Sequence, residues 1–190
     1  MHVIKSFSKE EKEDAINILL LAFSSDPFQR YMMPDPSIYF RNSTIWFNNA
    51  IKQSILVKGV WGTENYSGVA VWFPPRHKIE FEVIQKTFKD FPSVIEKDIY
   101  QYFKEFGKNK PDEAWYLEYL GVDPSSQSLG IGSQILKNSL AKIDDLNQPA
   151  YLESSNPKNM SLYKRHGFET IKKIQFGEGP ALHTMYREAR

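Results

Sequence analysis

The turn between Gly121 and Gly132 combines residue types that can hold a negatively charged ligand. Its sequence, GVDPSSQSLGIG, follows a predicted strand and runs into a predicted helix. Glycines such as Gly130 allow the backbone to approach a ligand closely and to adopt positive φ. The first turn of a helix adds unpaired N–H groups and the positive end of the helix dipole, which together favour a phosphate group.

The charge pattern around this turn supports a phosphate ligand. No Asp or Glu occurs between Pro124 and Asn138, although acidic residues are common elsewhere. Because acidic residues usually stabilise a helix start, their absence leaves the positive potential uncompensated. The alternative is that the glycines serve only the packing of a strand-to-helix connection. Two known phosphate motifs are excluded. Ile135 occupies the third small position of the dinucleotide fingerprint, and no Gly-Lys-Ser/Thr of a P-loop occurs.

Composition narrows the functional class. The 190 residues include 24 basic and 23 acidic side chains, and the net charge of +1 gives no support to nucleic-acid or membrane-surface binding. The absence of cysteine excludes disulfides, a thiolate nucleophile and thiolate metal sites. The four histidines lack ligand spacing, so we expect no metal. The N-terminal segment has no apolar signal-peptide region, and we expect a cytoplasmic protein.

Apolar spacing and turn residues predict an N-terminal half of mixed elements. In chain order these are a strand at Val3 and Ile4, a helix around Ala15–Ala22, a loop at 24–36, a helix at 37–53, strands at 55–61 and 67–73, and an irregular helical region at 79–106 that Pro92 divides.

The C-terminal half has a clearer pattern. Its predicted elements are a strand at 114–122, a helix at 129–144, a strand at 149–155, a short helix within 156–168, and closing strands at 168–176 and 182–187. Asn156 can cap the short helix, and Gly167 suits its left-handed end. His166 lies beside that glycine, where the helix dipole favours a cation. One α/β (α+β) domain over residues 1–190 accounts for these elements.

Three segments carry a resemblance to a known family. Gln127-x-x-Gly130-x-Gly132 matches the Q/R-x-x-G-x-G signature of the Gcn5-related N-acetyltransferases (GNAT), although the family often has glycine where Ser128 stands. WYLEYLGVDP is similar to their fourth strand, and NPKNMSLYKRHGFE is similar to their N-x-x-x-Y-x-x-x-GF segment. The run from Trp115 to Arg187 also resembles the puromycin N-acetyltransferase branch, through YLESS, GFE and EGP.

The resemblance implies a fold and a separate role for each half of the chain. The fold is a single domain with a mixed central sheet of about six to seven strands, flanked by helices, in which the fourth and fifth strands splay apart. Residues 3–112 then form an N-terminal half with acceptor-side helices, and residues 113–190 form the acetyl-CoA-binding core.

The resemblance also implies how acetyl-CoA binds as the acyl donor. In the family, the backbone of the fourth strand pairs with pantetheine as an added strand would, and a backbone N–H near Leu120 binds the oxyanion. The pyrophosphate lies on the N–H groups of the glycine-rich turn. The implied coenzyme-binding residues are Leu120, Gly121, Val122, Gln127, Ser128, Leu129, Gly130, Ile131, Gly132, Ser133 and Asn159.

Catalysis in the family needs an acid for the leaving thiolate and a base for the amine. Tyr163 occupies the position of the family's acid, and a tyrosine with a pKa of about 10 keeps its proton at neutral pH. The alternative is that its ring only packs on the sheet. Glu118 and Glu153 are the candidate bases, and Glu118 is preferred over Glu153. The alternative for either carboxylate is a solvated strand residue. Strand alternation predicts that Glu118 faces away from Leu117 and Tyr119.

The implied function is transfer of acetyl from acetyl-CoA to a primary amine by direct attack in a ternary complex. The alternatives are a catalytically weak or inactive CoA-binding regulatory module, and an enzyme for another acyl donor. We expect a small-molecule or peptide amine as acceptor, no nucleic-acid or membrane partner, and a monomer or homodimer. Trp72, Phe73 and the region Phe28–Met33 are predicted to wall the acceptor pocket.

Overall fold

One seven-stranded mixed sheet organises the protein. A computed structural model describes residues 2–190, in which the strand order is β1-β2-β3-β4-β5-β7-β6. Neighbouring strands are antiparallel except β4 and β5, which are parallel. The predicted sheet is confirmed. The strands are β1 Ile4–Ser6, β2 Val60–Thr63, β3 Gly68–Phe73, β4 Trp115–Val122, β5 Ala150–Ser154, β6 Glu169–Ile174 and β7 Leu182–Arg187.

Helices cover both faces of the sheet. They are α1 Lys12–Phe23, α2 Pro27–Met32, α3 Pro36–Leu56, α4 Glu82–Gln85, α5 Glu96–Glu105, α6 Ile131–Asp144 and α7 Met160–Arg165. On one face, α6 buries the apolar stripe that its sequence predicts, including Ile135 and Leu136. On the other face, α1 and α3 pack Leu19 and Phe47 against the strands. Among the helices of residues 2–190, none is long and apolar enough to cross a membrane.

Two local predictions are wrong in the N-terminal half. The predicted loop at 24–36 contains α2, because the Asp26 carboxylate accepts hydrogen bonds from the backbone N–H groups of Phe28 and Gln29 and Pro27 begins the helix. The predicted strand at 55–61 is mostly the end of α3 and a turn, in which Lys58 adopts a φ of 56°. The strand itself begins only at Val60.

Candidate active site

The fourth and fifth strands separate in the middle of the sheet. Their parallel pairing runs from Trp115 and Ala150 to Leu117 and Leu152 and stops there. β4 continues to Val122 while still paired with β3 on its other side. The predicted coenzyme residues Leu120, Gly121 and Val122 therefore lie where one backbone edge of β4 faces the gap between the strands.

The glycine-rich turn leads from β4 into α6 with the backbone conformation that the sequence predicts. Gly130 adopts a φ of 80° at the helix start, where no side chain caps the helix. The first bond of the helix runs from the N–H of Gln134 to the carbonyl of Gly130. The N–H groups of Ile131, Gly132 and Ser133 precede it and are free of the helical ladder. The first turn has no acidic residue, so this end remains suited to an anion.

The other predicted coenzyme residues surround that turn. Gln127 donates its side-chain amide to the carbonyl of Val122 at 3.1 Å. Ser128 adopts a φ of 65°, the conformation for which glycine is better suited. Leu129 is 65% exposed. Ile131 is buried in the core, so its backbone alone can reach a ligand. Asn159 is exposed at the start of α7.

His166 contacts the same helix start from α7. Its Nε2 lies 2.7 Å from the hydroxyl of Ser133. Burial lowers the pKa of His166, and the cations Arg165, Arg187 and Lys137 lower it further. The interpretation of His166 as a cation favoured by the helix dipole is therefore wrong, because the neutral ring is stabilised here.

Tyr163 packs in the core and is not among the described residues that line the cavity. Its side chain is 7% exposed within the core beside α6, and its ring packs edge-on to Phe168 at 6.1 Å between centroids. Burial raises the pKa of Tyr163, and the negative charge of Asp26 raises it further. The phenol consequently keeps its proton at neutral pH, as a proton donor must.

Glu118 lies at a β-bulge in β4. The register with β3 pairs Leu117 with Trp72 and Tyr119 with Val71, which leaves Glu118 without an opposite residue. A bulge inserts one residue and turns the following side chains over. Glu118 and Tyr119 therefore line the same cavity, while Leu117 packs in the core on the opposite face. The prediction that Glu118 faces away from Tyr119 is wrong for this reason.

The electrostatic environment of Glu118 is unusual for a carboxylate. Its Oε2 is buried and has no hydrogen-bond partner among the described residues. Burial and then the charge of Glu153 raise the pKa of Glu118 from 4.5 to about 7, against the opposing effect of the Tyr116 and Tyr119 hydroxyls. A carboxylate with this pKa can accept a proton and release it near neutral pH.

Glu153 is held by three donors. Its Oε1 accepts hydrogen bonds from the N–H of Gly107 at 2.8 Å and the hydroxyl of Tyr151 at 2.9 Å. Its Oε2 accepts one from the hydroxyl of Tyr116 at 2.9 Å. Burial raises the pKa of Glu153, and these donors limit the rise. Glu153 thus has a fixed orientation and acts on Glu118 through its charge.

A cavity of about 330 Å³ opens at the bulge. Tyr116, Glu118 and Tyr119 from β4 and Glu153 from β5 form one side of it. Most of the remaining wall is apolar. Phe28, Gln29 and Met32 of α2 line the cavity, as the sequence predicts. Trp72 and Phe73 do not belong to the described lining; both are buried in the core, so that prediction is wrong.

Asp26 is a site residue that the sequence reasoning missed. It is 7% exposed and lines the cavity. Besides capping α2, it accepts a hydrogen bond from the Ser155 hydroxyl at 2.6 Å, which links α2 to the segment after β5. Burial raises the pKa of Asp26. The signal that could have found it is the Asp-Pro pair, a typical start of a helix.

Comparison with family models identifies this arrangement. Residues 94–170 match the acetyltransferase (GNAT) domain, and this range contains the glycine-rich turn, Glu118, Glu153 and Tyr163. Residues 94–170 of the chain are therefore similar to a GNAT acetyltransferase domain. The predictions of the GNAT superfamily and of an acyltransferase are thereby confirmed, whereas the puromycin N-acetyltransferase branch stays a prediction.

Individual proteins similar to this chain include a curated relative and solved structures with the same fold. An uncharacterised N-acetyltransferase of Schizosaccharomyces pombe is 22% identical over 184 residues, which cover 86% of this chain and 73% of the relative. A Corynebacterium glutamicum structure described as histone acetyltransferase HPA2 and related acetyltransferase superposes with a TM-score of 0.72 at 21% identity, covering 100% and 98% of the two chains. The Drosophila melanogaster polyamine N-acetyltransferase superposes with a TM-score of 0.66 at 13% identity, covering 99% and 100%.

No group of three or more His, Cys, Asp or Glu that could hold a metal ion occurs in the part of the chain that the structure describes.

Proposed function

We propose that this GNAT chain transfers the acetyl group of acetyl-CoA to the primary amine of a small molecule by direct attack in a ternary complex. The observation that carries the proposal lies in β4. At its bulge the strand presents Glu118 to the cavity, and its pairing with β5 ends one residue earlier, at Leu117. The proposed base and the backbone edge proposed to bind the acyl donor are therefore neighbours on one strand. This places the amine close to the thioester, as the reaction requires.

The donor would bind along residues 120–122 and over the turn into α6. Pantetheine would pair with the free edge of β4 as an added strand. The pyrophosphate would accept hydrogen bonds from the N–H groups of residues 127–133, at the positive end of the α6 dipole. We propose on this basis that residues 113–190 bind the coenzyme, and that residues 3–112 supply most of the acceptor side.

Glu118 would take the proton that the attacking amine must lose. An ammonium group placed beside the Glu118 carboxyl group in the cavity can pass it a proton, since the pKa of Glu118 lies at about 7. The nitrogen then attacks the thioester carbonyl and the C–N bond forms, which gives a tetrahedral oxyanion that a β4 N–H near Leu120 would hold. The C–S bond breaks as this intermediate collapses, and Tyr163 would give its proton to the departing thiolate. The second proton that the nitrogen loses in the collapse would return the Tyr163 phenolate to its neutral form. Glu153 is the second candidate for the base.

Small amines are the favoured acceptor class. The Drosophila neighbour is a polyamine N-acetyltransferase that catalyses the formation of N-acetylagmatine. The cavity itself supports a cationic acceptor because Asp26, Glu118 and Glu153 line it.

A free-thiol release assay with acetyl-CoA and a panel of primary amines tests the proposal, beside calorimetry of coenzyme A binding. Thiol release that depends on an amine is the expected result. Tight coenzyme binding with no release for any amine would instead support the alternative, a CoA-binding regulatory module. If thiol release is fast with another acyl-CoA and slow with acetyl-CoA, the acyl donor is that other acyl-CoA.

A further inference from the structure

His166 connects the C-terminal end of α7 to the first turn of α6. Its Nε2 lies 2.7 Å from the Ser133 hydroxyl, although the two residues are 33 positions apart in the chain. Ser133 is the third residue of α6, and its N–H precedes the first hydrogen bond of the helix. His166 therefore contacts a residue that is proposed to hold the pyrophosphate, without being one of the coenzyme residues that the family motif supplies.

The backbone of His166 is held by a buried arginine. Nε of Arg187 donates a hydrogen bond to the carbonyl of His166 at 2.9 Å. The guanidinium of Arg187 also donates to both carboxylate oxygens of Asp144, each at 2.7 Å, and Arg187 is 5% exposed. Because β7 and the end of α6 hold His166 through its main chain, a change of the ring alone should leave α7 in place.

The protonation state of His166 decides where the Ser133 hydroxyl can donate. A neutral imidazole can accept a hydrogen bond at Nε2, and the single hydroxyl hydrogen of Ser133 is then directed at the ring. An imidazolium carries a proton on both nitrogens and can only donate. In that state the Ser133 oxygen accepts from His166, and its hydrogen is free to bond an anion at the turn.

The charges near His166 favour the neutral ring until an anion binds. Burial lowers the pKa of His166, and nearby cations lower it further. A pyrophosphate on the first turn of α6 would add negative charge beside the ring and so favour the imidazolium. Asp144 is paired with Arg187. The cations of this cluster are Arg165 of α7, Lys137 of α6, Arg187 of β7 and the C-terminal Arg190, which lies beside Gly167.

We propose that His166 is a positioning residue for the coenzyme: binding of the pyrophosphate protonates the ring, and the protonated ring directs the Ser133 hydroxyl to the pyrophosphate. The inference rests on the proposed function and adds one proton, taken from solvent, to its coenzyme-binding step. Because binding raises the pKa of His166, coenzyme affinity should be highest at low pH and should fall as pH rises through the pKa in the complex.

Calorimetry with dephospho-CoA measures this linkage. The ligand keeps the pyrophosphate but lacks the 3′-phosphate, whose own titration near about pH 6 would overlap with that of histidine. Titrations at about pH 6.5 in MES and in bis-Tris, two buffers that differ in ionisation enthalpy, give the proton uptake. Titrations at about pH 5.5 and about pH 8 give the affinity of the protonated and the neutral form.

His166→Gln separates the proton of the ring from its hydrogen bond. A glutamine amide can still donate to Ser133, but it does not titrate. The variant should take up at least about 0.3 of a proton less than the parent, and its affinity ratio between low and high pH should be at least about threefold smaller. Glu118 titrates in the same range, so the difference between variant and parent is the deciding quantity. His183→Gln is the matched control, because His183 is a half-buried histidine of β7 outside the coenzyme turn; it should equal the parent.

Ser133→Ala tests whether the hydroxyl carries the effect. The variant should weaken dephospho-CoA binding at least about threefold at low pH, where the hydroxyl is free to bond the ligand, and less at high pH. Equal weakening at both pH values would overturn the role of His166 in directing this hydroxyl.

The remaining outcomes separate this inference from the proposed function. Equal proton uptake by His166→Gln and the parent would overturn the inference and leave the proposed coenzyme site standing. A parent that does not bind dephospho-CoA would overturn both. If His166→Gln does not fold, NMR titration of the His166 ring protons in the parent decides. Their pKa should rise when dephospho-CoA binds, and an unchanged or lower pKa would overturn the inference.

Discussion

Glu118→Gln should make the protein more stable at neutral and alkaline pH while it removes the proposed base. The folded protein holds the pKa of Glu118 at about 7, above its ordinary value of 4.5, through burial and the charge of Glu153. Between these two pH values the folded state binds more protons than the unfolded state. The free energy of unfolding therefore falls as pH rises through this window, and the loss is complete above pH 7. Glutamine does not titrate and avoids the loss.

The size of the effect follows from the same shift. One pKa unit corresponds to about 1.4 kcal/mol, so a rise from 4.5 to about 7 is worth about 3 kcal/mol. The stability difference between Glu118→Gln and the parent should be near zero below pH 4.5 and approach this value above pH 7. Tyr116, Tyr119 and Glu153 are the titratable groups around this carboxylate, and Glu153 makes the upper end of the window depend on its own ionisation.

Urea unfolding of both proteins over a series of pH values measures this difference. Glu13→Gln serves as the surface control, because the Glu13 side chain is 74% exposed, and it should show the same pH dependence as the parent. A constant difference between Glu118→Gln and the parent across the window would refute the raised pKa. A variant that is less stable than the parent above pH 7 would refute the sign.

Four further predictions concern the reaction and the coenzyme. In complete pH–rate profiles, Glu118→Gln should lose most activity at neutral pH and regain it as pH rises, because more amine arrives neutral; a parent-like profile beside an altered one for Glu153→Gln would move the role to Glu153. Tyr163→Phe should keep coenzyme affinity by calorimetry but lower kcat by about 10²–10⁴-fold, and parental kcat would make the residue structural. Gly132→Ala places its methyl group 3.6 Å from Leu162 and Val122, an ordinary contact, so it should keep the melting temperature yet weaken coenzyme A binding at least about tenfold; unchanged affinity would reject the pyrophosphate assignment. Ser128→Gly should stabilise the fold by about 1 kcal/mol in denaturant unfolding, because it relieves the left-handed conformation, and a loss of stability would contradict this.

The sequence by itself determined the elements that local chemistry specifies. The helix at α6 follows from its apolar period, and its uncapped, acid-free start follows from the residues around Gly130. The Asn156 cap and the positive φ of Gly167 are likewise local, and the structure contains both. The motif spacing then led to the GNAT family, because a ligand held by backbone groups constrains residues close together in the chain.

The tertiary structure decided which side chains from distant segments share the cavity and how they affect one another's pKa. Strand alternation placed Glu118 and Tyr119 on opposite faces, but the bulge against β3 brings both into the cavity. The orientation of Glu153 depends on the N–H of Gly107, from a different part of the chain, as well as on two tyrosine hydroxyls. Asp26 reaches Ser155 across 129 residues of sequence. Burial and hydrogen bonds between distant segments set the pKa of each carboxylate and determine which donors it accepts from. Neither property has a local signature in the sequence.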